Sequence, residues 1–266
     1  MGMTTAVCIA TVKGREEAVA RAADACVEQG AWPIVDHDTE HLGAIRMRNE
    51  LFDVALNSTP PVDTICSLDD DAWPTLGALN VAAITLHKYP DVGAVAFDIL
   101  RPGTPEPPLG TEPSMVPSYC AAGVAFRADA LRDVGVWPDW EAGPFELEHS
   151  IRLQAAGWQI VRVPGVAVWH EVHPSGRVTG VRNRLVPLHM FELFVRYYPP
   201  RLAARKAAEL LYRCALCSVE QRTPVYMGAA WEAAKRCGGW WKRREVVPME
   251  VVERVRVPIG LVGCAV

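Results

Sequence analysis

The stretch Ile65-Cys66-Ser67-Leu68-Asp69-Asp70-Asp71-Ala72-Trp73-Pro74 is an apolar run that ends in three consecutive carboxylates. Adjacent carboxylates repel one another, and a fold holds them together cheaply only where a cation or a set of donors offsets their charge. The chemistry this suggests is a hard divalent metal bound through oxygen. The alternative is a solvated turn in which Asp71 caps a helix starting near Pro74. A second apolar stretch, residues 158–170, delivers His170, which could be a metal ligand or a structural histidine at a strand end. A third group is acidic: Glu146 and Glu148 open a helix, where a carboxylate can act as a general base or simply complement the positive helix end.

Those side chains need elements to carry them. Residues 6–12 read as a buried strand, residues 16–29 as a helix with Val19, Ala22, Ala23, Cys26 and Val27 at helical spacing, and residues 32–36 as a short strand ending in Asp36. Residues 44–57 and 74–88 read as helices, and residues 62–68 and 92–97 as strands. Polar groups therefore collect at strand ends, as in a doubly wound sheet. Residues 101–117 hold six prolines and two glycines, too many for a regular element, and read as an excursion loop. Residues 118–127 return to order, followed by a short helix ending at Gly135, a helix over residues 145–158, a strand over residues 159–163, and the segment Val166-Ala167-Val168-Trp169 leading to His170.

Beyond residue 177 the period is helical throughout. Ala207, Leu210, Leu211, Cys214 and Cys217 form one stripe. Trp240-Trp241 beside Lys242-Arg243-Arg244 joins aromatic anchors to cations, as interfacial helices do.

The charge is asymmetric. Residues 1–176 hold 11 Lys+Arg against 24 Asp+Glu, a net of −13; residues 177–244 hold 14 against 4, a net of +10; the last 22 add −1, giving −4 for all 266 residues. The basic piece could be a solvated face or could attract anionic lipid, an anionic acceptor or nucleic acid, which charge alone does not separate; of these partners nucleic acid is the one not expected. The eight cysteines are scattered, with Cys8 and Cys66 inside apolar strands, which favours reduced thiols in a cytoplasm over a disulfide framework. The Cys214/Cys217 pair falls on an apolar helix stripe, so core packing is expected there rather than zinc. Residues 1–6 lack the pattern of a signal peptide, and no stretch has the length of a membrane span. A cytoplasmic protein is expected, in solution or peripheral at the inner face of a membrane.

Taken in order, the strand-helix opening with Thr11 and Arg15, Asp36, Arg48-Asn49, the Asp triplet, the run from Gly123 through Arg127 to Gly135, the acidic helix closing on Ala156-Gly157-Trp158, and Val168-Trp169-His170 form one pattern. It resembles the family 2 glycosyltransferases of the GT-A fold over about residues 6–244. Arg182-Asn183-Arg184 is similar to the bacterial rhamnosyltransferase-type members. The resemblance implies an α/β fold, a Rossmann-like doubly wound mixed sheet over residues 1–176, with a basic amphipathic helical region over residues 177–266. It implies a hexosyltransferase that inverts configuration, moving sugar from a UDP- or dTDP-linked donor to the hydroxyl of a glycan, lipid-linked or small-molecule acceptor. An Mg²⁺ or Mn²⁺ ion would bridge the donor phosphates at a DXD motif.

Carried over by position, Asp69 would face the donor ribose and share the metal with Asp71, Asp70 would assist, and His170 would add a ligand. Thr11, Arg15 and Asp36 would lie near the nucleotide, with Arg48 and Asn49 close by, although Asp36 could equally cap a loop. Family members present Glu-Asp at the start of the acidic helix; here those places hold Phe145 and Glu146, with Glu148 two residues on. Glu146 is the preferred base and Glu148 its alternative. Two other readings compete. A sugar-1-phosphate nucleotidyltransferase would favour a glycine-rich basic N-terminal loop that this chain lacks, and a non-catalytic nucleotide-sugar- or membrane-binding protein would fit the altered Glu-Asp motif.

Overall fold

The computed structural model describes residues 4–39, 42–110, 112–171 and 179–255. The chain divides into two compact units, Met1–Asp139 with Arg152–His173, and Trp140–Ile151 with Pro174–Val266.

The first unit is built on a mixed sheet. Strand β1 (Thr5–Thr11) is wholly buried and lies parallel to β2 (Trp32–His37) on one side and β3 (Thr64–Asp69) on the other. The helices α1 (Glu16–Val27) and α2 (Ala44–Leu56) make those crossovers. After β3 comes a three-residue strand, β4 (Ala72–Pro74), then α3 (Ala78–Lys88), β5 (Val92–Leu100), the two-residue β6 (Ser114–Met115), β7 (Gly123–Arg127), α4 (Ala128–Val134) and β8 (Gln159–His170). The sheet order is β2-β1-β3-β7-β5-β8-β4, with β6 also on β8. The β7 strand runs antiparallel to both β3 and β5, which makes the doubly wound sheet a mixed one.

Alternation places Val7 and Ile9 of β1 with Cys66 and Leu68 of β3 on one face, against Ala22 and Cys26 of α1 and Leu79, Ala82 and Leu86 of α3. The other face receives α2, whose Phe52 ring meets Phe126 edge-on at 6.0 Å and Trp137 at 5.0 Å.

Three local readings change. The helix expected from Pro74 begins at Ala78, with Gly77 before it and no side-chain cap, so Asp71 does not cap it. Residues 72–74 instead form β4, because Ala72, Trp73 and Pro74 pair antiparallel with His170, Trp169 and Val168. The two segments expected around residue 164 are one strand, β8, interrupted by an irregularity: Ala96 faces Arg162 while Asp98 faces Ala167. Three extra residues on β8 reverse the alternation, so the core-facing series passes from Val161 and Val163 to Val166 and Val168. Gly165 at φ +81° makes the bend, and a Cβ there would stand 2.5 Å from the Pro108 carbonyl oxygen. The loop of residues 101–117 is strapped to this bend, since the Gly110 amide donates to the Pro164 carbonyl at 2.7 Å.

The second unit is helical. It comprises the opening of α5 (Phe145–Ala155), then α6 (Thr179–Tyr197), α7 (Pro200–Glu220), α8 (Val225–Lys242) and α9 (Met249–Val255). Its core joins Ile151, Leu193, Phe194, Leu210, Cys214, Tyr226 and Trp240. Cys214 and Cys217 are both buried on α7, as the stripe requires. Burial pushes the Cys214 thiol up to about 12, which disfavours the thiolate that zinc would need. Cys8, Cys26, Cys66, Cys120, Cys214 and Cys237 are free thiols, whereas Cys217 is disulfide-bonded, which departs from the expectation of reduced thiols.

Candidate functional site

The triplet sits where β3 leaves the sheet. Three consecutive residues there cannot share one direction, and each carboxylate has its own set of partners. Asp70 is the inward one. Its Oδ2 accepts from the Thr11 hydroxyl at 2.7 Å and its Oδ1 forms a close ion pair with Arg15. Both Asp70 oxygens are therefore engaged by the β1 end and the turn before α1.

Asp69 and Asp71 divide their oxygens. Asp69 Oδ1 pairs with Arg48, and its Oδ2 lies 3.5 Å from His170 Nε2. Asp71 Oδ2 lies 3.5 Å from Arg15, and its Oδ1 lies 3.1 Å from the same His170 nitrogen. One oxygen of each acid is thus held by a guanidinium while the other turns toward His170. The β4–β8 pairing delivers the histidine: Ala72 stands opposite His170, and the Glu171 amide donates to the Asp71 carbonyl at 3.0 Å.

Asp69, Asp71 and His170 each offer a ligand atom within 4.8 Å of the others. Two carboxylate oxygens and an imidazole nitrogen suit a hard or borderline divalent ion, with remaining positions left for ligand oxygens. The donor set fits Mn²⁺ or Mg²⁺.

Arg48 holds the site from behind. It is 5% exposed, lies with its Cζ 5.8 Å from the Trp137 ring, and its Nε is buried with no hydrogen-bond partner. Its charge is compensated by Asp69, which is the reason an arginine tolerates this depth. Asn49, next along α2, clamps the backbone of Trp137 with two hydrogen bonds, 3.0 Å to the carbonyl and 3.2 Å from the amide. Trp137 also donates its indole N–H to the Tyr119 hydroxyl at 2.8 Å. Sequence reading passed over Trp137 and Tyr119 as site-supporting residues, and only the bulk of an isolated tryptophan in a loop could have signalled them.

Asp36, at the end of β2, is exposed, and its Oδ1 accepts from the His37 amide at 2.7 Å, a local loop cap. Asp38 shapes the turn that follows, accepting from the Leu42 and Gly43 amides at 2.6 and 2.8 Å. At the rim, Arg21 of α1 pairs with Glu171 at 2.9 Å and lies 4.7 Å from the Trp73 ring centre. No spacing in the sequence signals that pairing.

Glu146 and Glu148 belong to the second unit. Glu146 is half-buried at the start of α5, whereas Glu148 is 2% exposed and accepts from the Tyr197 hydroxyl. A carboxylate so enclosed has a structural hydrogen bond to keep.

No protein-family model matches the chain, and no curated protein matches it. Solved structures do. The chain is similar to S. aureus TarS 1-349 in complex with UDP-GlcNAc (13% identity, 79% of this chain, 67% of that one, TM-score 0.55). It is similar to the mannosyltransferase PcManGT from Pyrobaculum calidifontis in complex with GDP-Man and Mn²⁺ (14% identity, 95% and 85%, TM-score 0.53). GalNAc-T7 with UDP, GalNAc and Mn²⁺ is a third (11% identity, 89% and 57%, TM-score 0.54). The chain spans 66% of TarS 1-349 in its other structure. At these identities the likeness is one of fold, and the fold is that of the GT-A glycosyltransferases.

Proposed function

We propose that this chain is a divalent-metal-dependent glycosyltransferase of the family 2 type, close to its rhamnosyltransferase-like members, that transfers sugar with inversion from a nucleoside-diphosphate donor to an acceptor hydroxyl. The observation that supports this most is the convergence of Asp69, Asp71 and His170 at the end of a GT-A strand. Neighbours of the same fold hold UDP-GlcNAc, or GDP-Man with Mn²⁺.

Asp69, Asp71 and His170 would hold the ion, and when bound it would stabilise charge on the leaving diphosphate. Arg48 and Arg15 fix the orientation of Asp69 and of Asp70 with Asp71. Glu146 takes the proton of the acceptor hydroxyl as its oxygen bonds to the anomeric carbon and the bond from that carbon to the diphosphate oxygen breaks. UDP- or dTDP-sugars are the expected donors, and a glycan, lipid-linked or small-molecule hydroxyl the expected acceptor.

The experiment is a thermal-shift panel of UDP, dTDP, GDP and their sugars, each with and without Mn²⁺. Binding to the native state at a hundredfold excess over Kd stabilises by about 2.7 kcal/mol. A shift that requires both metal and one nucleotide supports the reading and identifies the donor class. A folded sample that responds to none of them overturns it.

A further inference from the structure

The helix α8 carries two apolar stripes, and only one of them is needed for its packing. The inner stripe, Tyr226, Ala229, Ala233 and Trp240, is buried in the core of the second unit. The outer stripe is Met227, Trp231, Ala234, Gly238 and Trp241, at spacings of four, three, four and three residues, so it forms one face. Met227 is 40% exposed, Trp231 67% and Trp241 52%. The Trp240-Trp241 pair, read from the sequence as aromatic anchors, is therefore split between core and surface.

Lysines border this outer face. Lys235 lies four residues beyond Trp231, with its Nζ 5.3 Å from that ring, and Lys242 follows seven residues later on the same side, exposed. Trp241 is braced from the other end: Arg244 lies 4.1 Å from its ring and donates to the Val195 and Tyr198 carbonyls at 2.8 and 2.6 Å. Trp231 walls a groove of about 730 Å³ shared with Arg184, Lys235 and Arg236, in which Glu232 is the one acid.

We infer that the outer stripe of α8 docks on an anionic lipid surface, with Trp231 and Trp241 seated at the level of the head groups and Lys235 and Lys242 paired with lipid phosphates. Two amphipathic rings on a rigid face, bordered by long cationic side chains, match the polarity gradient of a bilayer interface. Charge chooses this occupant over a second copy of the chain. Residues 177–244 carry a net of +10, which opposes pairing of this face with the same face of a second copy and attracts an anionic membrane. The helix lies on the surface, since no helix among the described residues is long and apolar enough to cross a membrane.

The test is co-sedimentation of the full chain with phosphatidylglycerol/phosphatidylcholine vesicles and with pure phosphatidylcholine vesicles, at 50 and 500 mM NaCl. Binding is expected on the anionic vesicles at low salt, falling at least tenfold at high salt or on neutral vesicles. Trp231→Ala/Trp241→Ala is expected to weaken it tenfold or more. Lys235→Glu/Lys242→Glu changes only exposed positions and gives the same answer if the tryptophan variant folds poorly. Size-exclusion chromatography with light scattering runs alongside. Lack of vesicle binding by the native chain overturns the inference, as do variants that bind like it, or a dimer that the tryptophan substitutions dissolve. None of these residues is among the proposed metal, donor or base residues, so nucleotide and Mn²⁺ thermal shifts should remain those of the native chain and separate this result from the fate of the proposed activity.

Discussion

His170 Nε2 lies 3.1 Å from Asp71 Oδ1, a contact made between the turn after β3 and the last residue of β8. A cation there would gain two carboxylate oxygens and an imidazole nitrogen in one place. His170→Ala and Asp71→Asn should each weaken Mn²⁺ binding by at least the 10- to 100-fold that loss of a ligand-orienting group typically costs. Isothermal titration or Mn²⁺ EPR on the purified chain reads this directly, and native-like affinity in both variants would remove the ion from this site.

Asp70 is expected to behave differently from its neighbours. With its oxygens on Thr11 and Arg15, it is expected to matter for stability, and Asp70→Ala takes the nearest carboxylate from a guanidinium that is only 13% exposed. The loss should be about 2–3 kcal/mol, below that of a fully enclosed pair because Arg15 retains Asp71 at 3.5 Å. Urea unfolding of Asp70→Ala beside Asp69→Asn should show the larger loss of stability in the first and the larger loss of metal affinity in the second.

Gly165 couples fold to site. An alanine there must avoid the Pro108 carbonyl and adopt a positive φ, so Gly165→Ala should cost about 2 kcal/mol or more. The same change should lower Mn²⁺ affinity, because the bend sets which face of β8 His170 shares with Val166 and Val168. Gly157→Ala, also at positive φ but with nothing within 4 Å of its Cβ, is the control that should leave metal binding intact.

Glu146→Gln should reduce turnover by a hundredfold or more while leaving donor binding unchanged. Glu148→Gln should instead lower stability through its contact with Tyr197. A variant pair with these outcomes exchanged would assign the proton to Glu148.

Burial holds the Cys8 and Cys26 thiols up at about 12 and raises Cys66 well above the ordinary value of 9.0. In the unfolded chain these thiols ionise from pH 9 upward, while in the native state they stay protonated. Their contribution to stability is therefore intact below pH 9 and is lost between about pH 9 and 12. Urea midpoints should fall steadily above pH 9. Maleimide at pH 8 should modify the exposed Cys120 in the native protein and reach Cys8, Cys26 and Cys66 only after unfolding.

Much of this was legible from local pattern. The apolar run into Asp69 had to be a strand, and helical spacing located α1, α2 and α5, because periodicity follows directly from which face is buried. The proximity of the Asp triplet to His170 was not a matter of periodicity. It depends on β4, three residues long and too short for any pattern, and on a bend whose only trace is Pro164-Gly165. Asn49 and Thr11 show the complementary limit. Asn49 holds Trp137 and Thr11 holds Asp70, and sequence registers the polar type of each but not its partner.

The β4–β8 pairing also sets a time order. During synthesis the acids emerge early and the histidine only with the final strand of the sheet, after β5 and β7 have already been made. Capture of metal at three ligands must therefore wait for a long-range closure, the slow kind of event in folding. The Arg15–Asp70 and Arg48–Asp69 pairs, by contrast, join residues 15–70 alone, so the arginine partners of the acids are made before their histidine.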